Sequence, residues 1–188
     1  MKDLIASRLR DLAATAERTA TELLPDIERA AVMIRDTVAR NGLLIFCGNG
    51  GSAADAQHMA TEYVVRYMKS RRAIAAIAIT TDTSLLTAAA NDLGFEEIFA
   101  RQVEALGKPG DLLIIHSTSG NSPNVVRAAE AARARGMTVL ALTARDGGKL
   151  RAVADHSVVV PTDRTDRAQE VQLCIQHLIC EMVEQAVS

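Results

Sequence analysis

The sequence is poor in aromatic residues and carries little surplus of charge. Only 3% of its 188 residues are aromatic and tryptophan is absent, so we do not expect a platform on which nucleic-acid bases stack. The formal net charge is −2, which leaves no broad basic field to attract nucleic acid or an anionic membrane surface. We therefore expect no nucleic-acid partner and no membrane partner.

Cysteines and long apolar runs are also scarce. Three cysteines stand at positions 47, 174 and 180 without CxxC spacing, and an odd, scattered set fits a reducing cytoplasm better than a disulfide framework. Charges interrupt the N-terminal stretch, so no signal-peptide core is expected there, and no apolar run is long enough to span a bilayer. We expect a cytoplasmic, single-domain protein in which Cys174 and Cys180 are small core residues.

Hydrophobic patterning predicts an alternation of strands and helices. Residues from about 4 to 40 have a helical pattern that is broken near Pro25. Five apolar runs follow and are continuous, as in strands covered on both faces of a parallel sheet: 43–47, 74–80, 112–116, 138–143 and 157–160. The predicted helices between and after them are 53–68, 96–106, 123–135 and about 164–186. This order predicts an α/β fold with a doubly wound five-stranded parallel sheet, N-terminal helices and a long C-terminal helix.

A glycine-rich loop, CGNGGS, follows the first predicted strand and contains Asn49, Gly50 and Gly51. Glycines let the backbone turn tightly and approach a ligand. Ser52 is predicted to be the N-cap of the next helix, with Asp55 in a variant capping box, and free amides at a helix start favour an anion. The alternative for this loop alone is a well-capped turn without a ligand.

A serine-rich loop, HSTSGNSPN, follows the third predicted strand. Ser122 before Pro123 predicts an N-cap with proline at the first helical position, and hydroxyls are supplied by Ser117, Thr118, Ser119 and Ser122. Hydroxyls and amides together satisfy the oxygens of a phosphate without a lysine. Ligands of doubly wound sheets bind at the carboxyl ends of strands, so the two loops together predict a phosphate site.

A nicotinamide-binding fingerprint is the competing interpretation of the first loop. Gly48, Gly50 and Ala53 fit the G-x-G-x-x-G/A spacing, and Asp82 follows the second predicted strand. That aspartate comes later than the usual offset of about 20 residues. The fingerprint also gives the serine-rich loop no role, so we favour the phosphate site.

Two predicted helices carry polar side chains suited to acid–base chemistry. His58 and Glu62 are spaced i, i+4 and share a helix face; the alternative is a solvated ion pair. In the last predicted helix, Gln169 and His177 border an apolar stripe. Taken alone, Gln169 fits an ordinary surface residue and His177 a packed histidine.

Motifs along nearly the whole chain resemble those of the bacterial phosphoheptose isomerases, which are sugar-isomerase (SIS) domain proteins: CGNGGSAADAQHMATE, AANDLGF, HSTSGNSPNVV, ALTARDGGKL and DRAQEVQ…QH. The resemblance implies one flavodoxin-like SIS domain over residues 1–188, with residues 1–40 as a helical extension. It implies an aldose–ketose isomerase that converts sedoheptulose 7-phosphate into D-glycero-D-manno-heptose 7-phosphate through an enediol, the first step of nucleotide-activated heptose biosynthesis. It further implies a cytoplasmic homotetramer with active sites between subunits and one Zn²⁺ ion per subunit.

The resemblance also implies roles for individual residues. Glu62 would be the general base and His177 the general acid. The zinc ligands would be His58, Glu62, Gln169 and His177, and phosphate would bind at Ser52, Ser117, Ser119 and Ser122. The remaining substrate-binding or orienting positions would be Asn49, Gly50, Gly51, Asn91, Asp92, Thr118, Asp166 and Gln169. Three positions depart from the family pattern: Thr61, Gln172 and His116.

Two difficulties follow from these roles. A tight zinc ligand is a weaker base, so the two roles of Glu62 conflict. Gln169 and His177 are eight residues apart, roughly 12 Å along a helix, and their side chains lean the same way. We therefore expect that one of them acts across a subunit interface or that the helix is irregular near Gln169.

Other SIS proteins offer alternative functions. Some non-catalytic relatives bind a replication initiator but lack the acid–base set, and sugar-phosphate sensors carry an additional DNA-binding domain. This chain keeps His58, Glu62, Gln169 and His177 together, which favours the enzyme.

Overall fold

Five parallel strands form the centre of the computed structural model, which describes residues 1–187. The strands are β1 (Leu44–Gly48), β2 (Ala76–Ala78), β3 (Leu112–His116), β4 (Thr138–Ala144) and β5 (His156–Val160). Their order in the sheet is β2-β1-β3-β4-β5, and every neighbouring pair is parallel. The doubly wound five-stranded α/β fold predicted from the sequence is confirmed.

Helices cover both faces of this sheet: α1 (Lys2–Glu22), α2 (Leu24–Ala39), α3 (Gly51–Val64), α4 (Thr83–Asp92), α5 (Ala100–Leu106), α6 (Pro123–Ala134), α7 (Leu150–Val153) and α8 (Thr165–Val187). A short 3₁₀ helix, Phe95–Glu97, precedes α5. One core cluster joins the sheet to α2, α3 and α8, and a second joins it to α4, α5, α6 and α7. Neighbouring residues of β1 alternate between the two clusters, Phe46 in the first and Cys47 in the second, as the pleat of a strand requires.

The predicted break near Pro25 is confirmed: α1 and α2 are separated at Leu23, and Pro25 lies in the first turn of α2, where proline is well tolerated. Several other element boundaries differ from the sequence-based expectation. The second strand has only three residues, and α3 ends at Val64 rather than at residue 68. Helices α4 and α7 were not predicted.

Helix α4 also accounts for Asp82, the aspartate that accompanies the nicotinamide fingerprint. The Asp82 side chain accepts a hydrogen bond from the Leu85 N–H at 2.9 Å and is the N-cap of α4. Its position after the second strand is therefore explained by helix capping.

All three cysteines are free thiols, but they differ in exposure. Cys47 and Cys180 are buried, whereas Cys174 is exposed. The expectation that Cys174 is a core residue was wrong, because the apolar stripe of α8 is wider than the face that packs on the sheet: Leu178 and Met182 are also exposed. Within residues 1–187, none of the helices combines the length and apolar composition that a bilayer crossing demands.

Candidate active site

The loops after β1 and β3 lie side by side at the carboxyl edge of the sheet. Gly48 pairs with His116 at the last step of the β1–β3 register. Beyond that step the Asn49 amide donates to Asn124 Oδ1 at 2.9 Å, and the Asn124 amide donates to Asn49 Oδ1 at 2.8 Å. This reciprocal pair joins the glycine-rich loop to the start of α6, so both predicted anion loops border one site.

Helix α3 begins two residues earlier than expected. Its N-cap is Gly50, whose φ of 56° is in the left-handed region that glycine adopts readily. Ser52 is inside the first turn and buried, and the helix has no side-chain cap hydrogen bond. The predictions of Ser52 as N-cap and of a capping box with Asp55 were wrong. Burial raises the pKa of Asp55, and the nearby His58 opposes that rise.

The serine-rich loop is folded by its own hydroxyls. Ser117 Oγ accepts a hydrogen bond from the Gly120 N–H and Ser119 Oγ accepts one from the Asn121 N–H, both at 3.2 Å. Ser122 is the N-cap of α6 and Pro123 follows it, as predicted. The Ser122 side chain makes no cap hydrogen bond, which leaves its hydroxyl available to a ligand.

The segment DGGKL, residues 146–150, is hydrogen-bonded to the serine-rich loop. The Leu150 N–H donates to the Gly120 carbonyl at 3.0 Å, and the Lys149 N–H donates to Asn121 Oδ1 at 3.1 Å. A Cβ on Gly148 would overlap the carbonyl oxygen of Ser119. Gly148 is therefore required by the close approach of two backbones, a role that sequence reasoning did not assign to it.

A cluster of two imidazoles and a carboxylate lies between α3 and α8. His58 Nε2 is 3.3 Å from Glu62 Oε1 and 3.3 Å from His177 Nε2. The side chain of His58 is 43% exposed and that of Glu62 is 19% exposed, so the cluster can be reached from solvent. The predicted i, i+4 pair is formed, and the structure adds His177 from the neighbouring helix.

His177 is further enclosed by an aromatic ring. The Tyr67 ring stacks on the His177 imidazole with centroids 5.3 Å apart and planes at 11°. Burial lowers the pKa of His177, His58 lowers it further, and Glu62 raises it in part. His177 is consequently held towards its neutral form, in which one ring nitrogen has a free lone pair.

The three side chains have the spacing of a metal site. Their ligand atoms all lie within 4.8 Å of one another. Two tetrahedral zinc ligands at about 2.05 Å from the ion are roughly 3.3 Å apart, which agrees with both His58 distances. Two histidines and a carboxylate form a three-ligand set that leaves a position for substrate, so these residues fit a zinc ion.

Gln169 lies against the start of α3. Its amide lies against Gly51, where a Cβ would be 2.7 Å from Nε2. Helix α8 is continuous from Thr165 to Val187, so the suggested irregularity near Gln169 was wrong. The other possibility, a contribution across a subunit interface, stays a prediction.

The remaining candidate residues lie on other elements. Asn91 and Asp92 are exposed at the end of α4, and the Asn91 amide donates to Asp92 Oδ1 at 2.7 Å. Asp166 is exposed at the start of α8, where hydrogen bonds from Arg164 outweigh the opposing effect of desolvation and lower its pKa. Within residues 1–187, no hydrogen bond or ion pair joins these three side chains to the histidine–glutamate cluster.

Sequence reasoning missed four residues around the site: Tyr67, Arg71, Asn124 and Glu184. The motif NSPN contained a signal for Asn124, since it follows the predicted cap by two residues. The other three have no local signal, because their contacts join residues more than 110 positions apart or use backbone groups.

Comparison with known proteins agrees with this arrangement. Residues 9–144 match the SIS domain family. The phosphoheptose isomerase of Chlorobaculum parvum is 50% identical over 186 residues, which cover 97% of this chain and 89% of that protein.

Two solved structures are similar along nearly the whole chain. The phosphoheptose isomerase of Neisseria gonorrhoeae has a TM-score of 0.92 at 41% identity, with 98% of each chain covered. The phosphoheptose isomerase of Francisella tularensis has a TM-score of 0.94 at 35% identity, with 97% of each chain covered. The chain belongs to the SIS domain family and, within it, to the phosphoheptose isomerases.

Proposed function

We propose that the protein is an aldose–ketose isomerase that converts sedoheptulose 7-phosphate into D-glycero-D-manno-heptose 7-phosphate, the first step of nucleotide-activated heptose biosynthesis. The observation that carries the proposal is the meeting of His58, Glu62 and His177 in a member of the phosphoheptose isomerase family. Isomerisation through an enediol needs a base at carbon and an acid at oxygen, and a carboxylate and an imidazole supply both.

In this mechanism Glu62 removes a proton from C1 of the ketose and returns a proton to C2. His177 donates a hydrogen bond to the carbonyl oxygen at C2 and relays a proton between the two oxygens. An imidazole held near its neutral form acts in this way without becoming an imidazolium. The Glu62 side chain is 19% exposed, which supports its assignment as the base.

The phosphate is assigned to the paired loops. Ser52, Ser117, Ser119 and Ser122 lie in or beside these loops. Ser52 and His58 are six residues apart on α3, roughly 9 Å along the helix. That span suits a sugar phosphate bound with its phosphate at the loops and its carbonyl end at the cluster. The sugar between them is assigned to Asn49, Gly50, Gly51, Asn91, Asp92, Thr118, Asp166 and Gln169.

The proposed cofactor is one Zn²⁺ ion per subunit, held by His58, Glu62 and His177, with Gln169 as a further ligand. A bound zinc ion polarises a substrate carbonyl and stabilises negative charge on its oxygen. A zinc-bound carboxylate is a weaker base, and a zinc-bound ring nitrogen has no proton to donate. Glu62 and His177 are therefore each proposed as ligand and as base or acid at different stages.

The quaternary structure is proposed to be a homotetramer with active sites between subunits. A groove of about 620 Å³ between α1, α2 and α8 supports this, since it is lined by Leu24, Ile27, Leu178 and Met182. Exposed apolar surface of this kind favours burial against another chain.

We further propose one SIS domain over residues 1–188, because α1 and α2 share a core with α8. We also propose a cytoplasmic location, because the cysteines are free thiols.

The test of the function is an assay of sedoheptulose 7-phosphate with zinc in deuterated water, followed by NMR. We expect aldoheptose 7-phosphate with deuterium at C2, since the enediol exchanges with solvent. In Glu62→Gln we expect kcat to fall about 10²- to 10⁴-fold, whereas Gln57→Ala, an exposed change on the same helix, leaves turnover unchanged.

Other results have defined meanings. Aldose without deuterium keeps the isomerase but requires a shielded proton or a hydride shift. Absence of aldose from the wild-type protein, with Glu62→Gln equally silent, contradicts the proposal and favours a non-catalytic, initiator-binding SIS protein. Light scattering on the same preparation tests the tetramer.

A further inference from the structure

The segment that follows α3 is held against the C-terminal half of α8 by one buried carboxylate. Glu184 accepts hydrogen bonds from three successive backbone N–H groups, those of Tyr67 at 3.1 Å, Met68 at 2.9 Å and Lys69 at 2.8 Å. Its side chain is 2% exposed. A carboxylate with three backbone donors fixes both the position and the direction of the segment that supplies them.

Arg71 links the same carboxylate to the end of α3. Its Nε atom is 3.3 Å from Glu184 Oε1, and its side chain is 1% exposed. Its guanidinium donates to the carbonyl oxygen of Glu62 at 2.6 Å and to that of Tyr63 at 2.9 Å. These carbonyls belong to the last turn of α3 and have no partner inside the helix, so Arg71 ties that turn to α8.

The Glu184 carboxylate is stabilised in its charged form by the groups around it. Burial raises the pKa of the Glu184 carboxyl, but hydrogen bonds from Lys69, Met68 and Tyr67 and the charge of Arg71 outweigh it, and the net shift is downward. A buried ion pair contributes little net stability compared with apolar residues of the same volume. The ion pair does, however, fix the segment after α3 in one position on α8. That position is next to the histidine–glutamate cluster.

The segment meets the cluster at two points. The backbone of Tyr67 is bonded to Glu184 and its ring stacks on His177, while Arg71 is bonded to the backbone of Glu62. Glu184 and His177 are seven residues apart on α8, two helical turns, so they lie on the same face. One residue thus supports both the imidazole and the carboxylate of the cluster.

We propose that Tyr67, Arg71 and Glu184, here called the Tyr67 clamp, are positioning residues that hold the His177 ring and the Glu62 end of α3 in the geometry needed for turnover. The kinetic part of this inference rests on the proposed isomerase function. A stacked ring at 11° restricts rotation of the imidazole about its side-chain bonds, and Arg71 restricts fraying of the turn that carries Glu62. A small loss of such alignment costs a large factor in rate.

The test compares Tyr67→Leu, Tyr67→Phe and Glu184→Gln with the wild-type protein. The Hε1 proton of His177 is followed by NMR with histidine labelled at Cε1; the chain has 4 histidines, so single substitutions assign the signals. A proton over the face of an aromatic ring resonates upfield. Steady-state kcat and KM for sedoheptulose 7-phosphate are measured on the same samples.

We expect Tyr67→Leu to move the His177 signal downfield and to lower kcat about 10- to 100-fold, the range found when groups that orient a site are removed, with KM little changed. Tyr67→Phe keeps the stacked ring, so its His177 signal and its kcat should match those of the wild-type protein. Glu184→Gln gives a smaller shift in the same direction and a fall in kcat. Val139→Ala, a cavity in the opposite core cluster, lowers the melting temperature but leaves the signal and kcat unchanged.

Three results would overturn the clamp: an unmoved His177 signal in Tyr67→Leu, a kcat within twofold of wild type in that variant, or an equal loss of kcat in Val139→Ala. If Glu184→Gln does not fold, the two Tyr67 variants decide the matter, since they leave the buried ion pair in place. The NMR signal judges the clamp even in a protein without turnover, whereas the proposed function fails only if the wild-type protein makes no aldose.

Discussion

The Nε2 atoms of His58 and His177 face each other at 3.3 Å across the boundary between α3 and α8. Two neutral imidazoles in this arrangement cannot both point an N–H at the other, so at most one proton lies between them. A metal ion that accepts both lone pairs and a Glu62 oxygen satisfies all three groups at once.

We expect the protein to bind zinc, and His58→Gln to weaken binding by at least about 10-fold, because losing a ligand costs no less than losing a group that orients one. Calorimetry gives the affinity, and cobalt substitution reports a tetrahedral spectrum. His156 lies outside the cluster and bonds to the Asp26 carbonyl, so His156→Gln is the matched control. Equal zinc affinity in wild type and His58→Gln would show that the cluster is not the site.

Gly51→Ala is expected to impair substrate binding without loss of stability. The new Cβ would be 2.7 Å from Gln169 Nε2 and would displace that amide, while alanine in a helix gains up to about 1 kcal/mol over glycine. We expect a raised KM and an unchanged or slightly raised melting temperature. Gln169→Ala should give the same KM, and the double variant should add nothing further, because both changes remove one contact. Additive effects in the double variant would contradict this reading of Gly51.

Gly148→Ala is expected to weaken phosphate binding. The residue has a φ of +56°, and a side chain there costs about 1–2 kcal/mol from backbone strain besides displacing Ser119. Gly110→Ala is the control, because its φ is also positive, at +93°, but its Cβ would meet only Arg40 Nε at 3.8 Å. Inorganic phosphate should raise the melting temperature of Gly110→Ala more than that of Gly148→Ala. An equal rise of the melting temperature in the two variants would show that the DGG segment does not contribute to phosphate binding.

Acid is expected to destabilise the protein through His116. Burial lowers the pKa of this histidine from 6.5 to about 4, and its ring is paired with the Gln176 amide at 3.2 Å. As pH falls below 6.5 the unfolded chain binds a proton that the folded one refuses until about pH 4. Stability is therefore complete above pH 6.5 and falls by about 3 kcal/mol at most over that window.

Urea unfolding at pH 7.5 and pH 5 measures this loss. His116→Gln keeps a polar partner for Gln176 but does not titrate, so its stability should fall less between the two pH values than that of the wild-type protein. The other titrating groups are common to both chains and cancel in the comparison. If the free energy of unfolding falls equally in the two proteins, groups other than His116 cause the acid sensitivity.

The sheet and the serine-rich loop could be predicted because their signals are local. Buried strands such as β3 have continuous apolar runs, and Ser122 before Pro123 marks a helix start. Ser52 was assigned the wrong position in its helix because Gly50 supplies the positive φ that begins the turn. The Tyr67 clamp depends on backbone N–H groups meeting Glu184 from a distant part of the chain, which no sequence pattern marks. Whether the catalytic assignments to Glu62 and His177 are right stays a prediction for the kinetic tests.

The reciprocal amide pair of Asn49 and Asn124 has a consequence for how this protein can diverge. Each amide supplies the donor and the acceptor that the other needs, so replacing either one by aspartate sets two oxygens against each other. The two positions are 75 residues apart in the chain, yet a donor lost at one leaves an acceptor at the other without its partner. Substitutions at Asn49 and Asn124 are therefore expected to be energetically coupled, although the two loops are distant in sequence.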